Sequence, residues 1–112
     1  MGRELADLLT PAEARALRRF VDEARSAYGG GLVEVRLYGR RLRGEGPGID
    51  LFVVVERDEP APHRALMAVV GEILDDDVVV TPVVWTRARY QALLAQGVVS
   101  AVEMAERGIP VS

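Results

Sequence analysis

Apolar positions recur along the chain with two periods, and each period predicts a different kind of element. Between residues 11 and 28 they return every three or four positions, which is typical of a helix with one buried face. Thr10 and Glu13 have the spacing of a capping box, and Pro11 suits the first helical turn, so the helix is expected to begin here. The side chains predicted to face the core are Leu17, Phe20, Val21, Ala24 and Tyr28.

Two strands are predicted to follow the glycines at 29–31. Apolar and polar residues alternate over residues 33–38, which predicts a strand with one buried face formed by Val33, Val35 and Leu37. Residues 49–55 are almost all β-branched or aromatic, which predicts a central strand covered on both sides. Asp50 interrupts this run. A carboxylate there requires an ion-pair partner, water at the strand end or a metal ion.

The second half of the chain predicts further helices and a third strand. The predicted elements are a loop at 57–62, a helix at about 63–74, a strand at 78–85, a helix capped by Thr86 and interrupted near Gly97, a helix at 98–107 and an extended tail at 109–111. In the helix at 63–74 the residues predicted to be buried are Leu66, Met67, Val70, Ile73 and Leu74. Pro82 cannot donate to a ladder, so its strand is placed at a sheet edge or bulge.

Composition narrows the classes of function. The 112 residues are expected to form one domain, residues 1–112, with a single modest core. A net charge of -3 gives no reason to expect direct nucleic-acid binding, and no apolar run reaches the length of a membrane span. The chain has no cysteine and no lysine, which excludes thiolate, Schiff-base and Walker-type phosphate-loop chemistry. No signal peptide is recognisable, so a soluble, cytoplasmic protein is expected.

The candidate chemistry lies in the loop between the first two strands. This loop contains glycines, which allow sharp turns and close approach to a ligand, and arginines, whose forked donors suit phosphate. Its glycines and arginines are Gly39, Arg40, Arg41, Arg43, Gly44, Gly46 and Gly48.

This stretch resembles the minimal nucleotidyltransferases of the DNA polymerase β superfamily. The family signature is a strand, a Gly-Ser turn, an Arg-Gly loop and an Asp-x-Asp strand opening. Residues 37–44 match the turn and loop, and Ile49-Asp50-Leu51 match the second half of the Asp-x-Asp strand. The resemblance covers most of the chain and implies an α+β fold, with a small mixed sheet of three to four strands flanked by helices.

The resemblance also implies a site. Asp50 would be the catalytic remnant and a metal ligand, and Gly39, Arg40, Arg43 and Gly44 would bind nucleotide or phosphate. Two departures fall on the chemistry, because Arg40 stands where the family has serine and Gly48 where it has the first aspartate. The predicted strand at 78–85 contains no third acid, and Asp77 just before it is the nearby substitute as a metal ligand. An ion pair with Arg40 or Arg43 is the alternative explanation for Asp50.

Two functions therefore remain open. The first is a nucleotidyltransferase-fold protein with a degenerate metal site that acts by binding, as an antitoxin-like regulator of a helical HEPN-type ribonuclease, as small family members do. The second is an active nucleotidyltransferase that uses Mg²⁺ and ATP to transfer a nucleotide to a protein or small molecule. A homo-oligomeric scaffold domain is a third interpretation.

Overall fold

A computed structural model describes residues 5–111 as a mixed four-stranded sheet with helices on both faces. The predicted α+β class is confirmed. The elements are α1 (Leu5–Leu8), α2 (Pro11–Tyr28), a 3-10 turn (Gly29–Gly31), β1 (Leu32–Tyr38), a second 3-10 turn (Gly39–Arg43), β2 (Ile49–Val55), α3 (Pro60–Leu74), β3 (Val80–Thr86), α4 (Arg87–Ala95), α5 (Val99–Arg107) and β4 (Ile109–Pro110). None of the helices within residues 5–111 is long and apolar enough to cross a bilayer.

The sheet order is β3-β2-β1-β4, which places β2 and β1 at the centre. β2 pairs with β3 in parallel and with β1 in antiparallel orientation, and β4 pairs antiparallel to the other side of β1. All seven residues of β2 are buried, as predicted for a central strand. Its side chains alternate between two cores: the Leu51 side packs with α2 and α3, and the Phe52 side packs with α4 and α5.

The first long helix has the predicted start and the predicted core face. Glu13 N donates to Thr10 Oγ1 at 3.1 Å, and Thr10 N donates to Glu13 Oε1 at 2.9 Å, which completes the capping box. Tyr28 is half-buried, whereas the other four predicted core residues of α2 are buried.

The predictions for α3 need two corrections. The helix begins at Pro60, so the prediction of a loop through residue 62 was wrong. Proline is tolerated in a first turn because the N–H groups there have no intrahelical acceptor. The buried stripe runs through Leu66, Val69 and Ile73, and Leu74, one position further round the helix, is 55% exposed.

The ends of the strands also differ from the sequence pattern. β3 begins at Val80 and includes Thr86, two residues later than predicted at its start. Val33 in β1 is 36% exposed, while Val35 and Leu37 are fully buried. β1 has a register shift between Leu32 and Glu34, and this irregularity interrupts the alternation at Val33.

The carboxyl-terminal tail forms a short strand held by β1. Leu37 pairs with Ile109 and Arg36 pairs with Pro110. The Arg36 guanidinium donates to the Met104 carbonyl at 2.9 Å and to the Ala105 carbonyl at 3.2 Å, so a cation lies at the negative end of the α5 dipole. This contact fixes the end of α5 directly before the chain turns into β4.

Pro82 lies on the edge strand, as predicted, and its missing donor faces outward. Ile49 N donates to Val79 O at 2.9 Å, which sets the phase of the parallel ladder. Residues 81 and 83 then bond to β2, and Pro82 lies between them with its backbone toward the free edge. A strand added at this edge would find no N–H at Pro82.

We expect Pro82→Val to increase self-association, because it supplies the missing edge donor and adds a β-branched residue. Sedimentation velocity over a concentration series measures the change. Thr81→Val is the matched control, since residue 81 is exposed and its backbone faces β2. Equal association of the two variants would show that added apolar surface, and not the edge donor, is responsible.

Candidate functional site

The loop between β1 and β2 turns tightly against Asp50. The turn Gly39–Arg43 opens with Gly39 at φ 76° and is followed by Gly44 at φ 73°, both in the left-handed region that favours glycine. A Cβ added to Gly39 would lie 2.8 Å from Asp50 Oδ2. Gly39 is therefore required both by its backbone conformation and by the proximity of this carboxylate.

Asp50 is held by Arg40. The carboxylate is on the α4 and α5 side of β2, level with Tyr38 of β1 and Thr81 of β3, and the residue is 9% exposed. Oδ2 accepts from Arg40 N at 3.3 Å and from Arg40 Nε at 3.4 Å, and Oδ1 accepts from Arg40 Nη2 at 3.5 Å. Arg43 instead pairs with Glu45 at 3.4 Å. Of the two arginines that the sequence offered as ion-pair partners of Asp50, Arg40 is therefore the one that pairs with it.

The same guanidinium lies against Gly48. A Cβ added to this buried glycine would lie 3.0 Å from Arg40 Nη2. Gly48 directly precedes β2, and its added Cβ and the Asp50 carboxylate both approach Arg40 Nη2, so the two positions face the same guanidinium. The Arg40 guanidinium therefore lies next to the position where the first aspartate of an Asp-x-Asp pair would have its side chain.

The predicted metal ligands do not come together. Asp77 has φ 62° and lines a groove between α2 and the end of α3, with Arg15, Arg19 and Asp76; Asp50 is not part of this lining. Within residues 5–111, no group of three or more His, Cys, Asp or Glu side chains is arranged to hold a metal ion. Mg²⁺ requires several oxygen ligands, and a single carboxylate already paired with a guanidinium does not fit that requirement.

A small crevice lies between the turn and α5. This crevice of about 40 Å³ is lined by Tyr38, Gly39, Leu42, Arg43, Glu103 and Arg107. Small-molecule sites typically have roughly 300–1,000 Å³. Burial raises the pKa of the Tyr38 hydroxyl, and the Asp50 charge raises it further. The Arg40 charge lowers this pKa by a smaller amount. The Tyr38 phenol is therefore a neutral hydrogen-bonding group at the crevice. The end of α5 borders this crevice through Glu103 and Arg107.

Arg41 anchors the loop to the rest of the fold. Its guanidinium donates to both carboxylate oxygens of Glu13, at 2.5 and 2.7 Å, and to the carbonyls of Leu8 and Pro47, each at 3.0 Å. The Arg41 and Glu13 side chains are 13% and 12% exposed. The sequence predicts only a capping role for Glu13, because no local pattern links it to Arg41, which lies 28 positions further along the chain.

The Glu13 pair should make stability depend on pH. The hydrogen bonds from Arg41 hold the pKa of Glu13 below its ordinary value of 4.5. As the pH falls, Glu13 therefore takes up its proton earlier in the unfolded chain than in the folded chain. The stabilisation that ionised Glu13 provides above pH 4.5 is lost as the pH falls toward its pKa in the folded chain. Urea unfolding across this range should show a smaller decline for Glu13→Gln than for the unchanged protein; parallel declines would contradict this assignment.

No protein-family model, curated protein or solved structure matches the chain. The similarity to nucleotidyltransferases therefore rests on the residues of the turn, loop and β2 opening. The predicted roles of Asp50, Asp77, Gly39, Arg40, Arg43 and Gly44 remain predictions.

Proposed function

We propose that this chain is a nucleotidyltransferase-fold protein that acts by binding a partner and not by nucleotidyl transfer. The partner class is a helical HEPN-type ribonuclease, which the protein regulates in the manner of an antitoxin. The observation that carries the proposal is the Arg40 guanidinium, which lies on Asp50 and beside Gly48.

The position of Arg40 opposes two-metal chemistry. Nucleotidyl transfer uses metal ions to neutralise the triphosphate and activate the attacking hydroxyl. Here a fixed cation already neutralises Asp50, and a metal ion would have to displace it against charge repulsion. Because residue 48 is glycine, it provides no second carboxylate that could favour displacement of the Arg40 guanidinium by a metal ion.

The surroundings of the pair support a binding role. The neighbouring crevice of about 40 Å³ between the turn and α5, bordered by Glu103 and Arg107, is too small to hold a nucleotide. The Arg40 side chain is nevertheless 47% exposed, so the face of its guanidinium away from Asp50 is accessible to a carboxylate or phosphate of a partner. Such a contact requires no metal and no turnover.

Transfer of label from ATP tests the proposal directly. We expect the protein, incubated with labelled ATP, Mg²⁺ and a candidate helical ribonuclease, to transfer no more label than Asp50→Asn does. It should still form a complex with the ribonuclease and inhibit RNA cleavage. Label transfer that requires Asp50 would establish the alternative, an active nucleotidyltransferase; absence of both complex and inhibition would overturn the antitoxin role.

A restored site provides the positive control. Arg40→Ser combined with Gly48→Asp removes the cation and adds a carboxylate on the same face as Asp50. We expect the double variant to bind Mn²⁺ at least tenfold more tightly than the unchanged protein, measured by calorimetry. Equally tight, Asp50-dependent Mn²⁺ binding by the unchanged protein would contradict the view that Arg40 has replaced the metal.

A further inference from the structure

A second groove lies away from the Arg40 and Asp50 pair. It is formed by α1, one side of α2 and the residue that follows β4, and it encloses about 320 Å³. Its lining residues are Leu5, Leu9, Ala14, Leu17, Arg18, Val21, Asp22, Arg25 and Val111. This volume is within the lower range of small-molecule sites.

The floor of the groove is aliphatic and narrow. Leu17 and Val21 form part of it and are only 6% and 5% exposed, so little of either side chain meets solvent. Among the described residues, no aromatic ring and no side-chain amide lines the groove. An unbranched alkyl chain fits these aliphatic walls well. A nucleotide base would need stacking or hydrogen-bonding partners, and a docked helix would need an exposed apolar face.

The rim carries two cations that have no ion-pair partner among the described residues. Arg18 and Arg25 lie seven residues apart on α2, which corresponds to about 10 Å along the helix axis. Within the described part of the chain, no carboxylate lies within 4.0 Å of either guanidinium, and the intervening Asp22 is likewise outside any ion pair. An anionic head group at the rim would therefore not compete with an existing salt bridge.

We propose that this groove binds a small anionic amphiphile, with its alkyl chain on the aliphatic floor and its carboxylate at Arg18 or Arg25. The ligand contacts three separate segments, of which α1 is a single turn and β4 has two residues. Because a ligand that binds only the folded chain stabilises it, occupancy should strengthen the attachment of both segments to α2. This inference is independent of the proposed partner and of the Arg40 site.

The head group and the chain are tested separately with decanoate, decanol and hexanoate below their micellar concentrations. Titration followed by amide NMR shifts should locate decanoate at the groove-lining residues. Decanoate should bind at least tenfold more tightly than hexanoate, because each buried methylene is worth up to about fourfold in affinity. It should bind about three- to fivefold more tightly than decanol, since an exposed ion pair adds little.

Two variants and one control decide the outcome. Ala14→Leu, which fills part of the groove, should reduce decanoate affinity at least tenfold, and Arg18→Gln combined with Arg25→Gln about threefold to fivefold with decanol unaffected. Arg64→Gln removes an exposed arginine of α3 outside the groove and should change nothing. Circular dichroism confirms that each variant is folded. Decanoate binding that survives Ala14→Leu, shifts located elsewhere, equal affinity for decanol, or a concentration-dependent dimer that covers these residues would each overturn the proposal.

Discussion

Replacing Arg41 by methionine is expected to lower the free energy of unfolding by about 2–3 kcal/mol, less than the roughly 3–5 kcal/mol lost when one partner of a fully buried ion pair is removed, because this pair is partly buried. Methionine retains much of the aliphatic volume, so the loss would come from the guanidinium. The Glu13 carboxylate would keep its bond from Thr10 N but lose two charged donors, and the Leu8 and Pro47 carbonyls would lose theirs. Chemical denaturation at neutral pH measures the difference.

Arg43→Met is the matched control for this prediction. Arg43 lies two residues away in the same loop, and its pair with Glu45 is about half exposed on both sides. An exposed pair contributes roughly 0–1 kcal/mol, so this variant should be nearly neutral. If Arg41→Met and Arg43→Met had the same effect, the buried pair would not anchor the loop.

A double variant distinguishes the contribution of the Glu13 and Arg41 ion pair from the separate contributions of the two side chains. Glu13→Met with Arg41→Met leaves no buried charge without a partner, and it should be less destabilised than the sum of the two single variants. Additive losses would mean that the two side chains act independently, Glu13 through its cap and Arg41 through the carbonyls of Leu8 and Pro47.

The Arg41 anchor explains why Arg40 can stay on Asp50. Arg40 and Arg41 are consecutive, and Arg41 fixes the loop at Pro47 and against α2. The Arg40 backbone N–H and guanidinium then approach Asp50 together. Loosening Arg41 should therefore also release the guanidinium from Asp50, which links the stability of the fold to the chemistry proposed for its site.

Features set by neighbouring residues could be predicted from the sequence. The capping box at Thr10, the Thr86 cap, the helix break at Gly97 with φ 70° and the edge position of Pro82 all depend on contacts or backbone restrictions within a few positions. The identity of β2 as a central strand followed from its apolar run, which only Asp50 interrupts.

Features set by distant residues could not be predicted. The pairing of Arg41 with Glu13 joins the loop to α2 across 28 positions, and Arg36 reaches the end of α5 across 68. The tail was expected to be extended, but only its pairing with β1 makes it a strand. For Asp50, local reasoning left an ion pair with Arg40 or Arg43, water and a metal ion as alternatives, and the geometry of the turn makes Arg40, not Arg43, its ion-pair partner.

Gly39→Ala has the second large expected effect, a loss of about 2–5 kcal/mol in the free energy of unfolding. Alanine at φ 76° is strained by roughly 1–2 kcal/mol. Its Cβ would also lie 2.8 Å from Asp50 Oδ2, so the carboxylate would have to move away from the Arg40 N–H. Leaving these partly buried groups without partners costs a further 1–3 kcal/mol or so.

Gly44→Ala isolates the backbone contribution. Gly44 has φ 73° in the same loop, but a Cβ added there meets nothing within 4 Å, so only the strain of about 1–2 kcal/mol is expected. The excess loss in Gly39→Ala then measures the contact with Asp50, and it should largely disappear when Asp50 is also replaced by alanine. Equal losses at Gly39 and Gly44 would mean that the turn needs glycine for its backbone alone. A persistent excess without the carboxylate would place the conflict elsewhere, because the structure attributes it to Asp50 Oδ2.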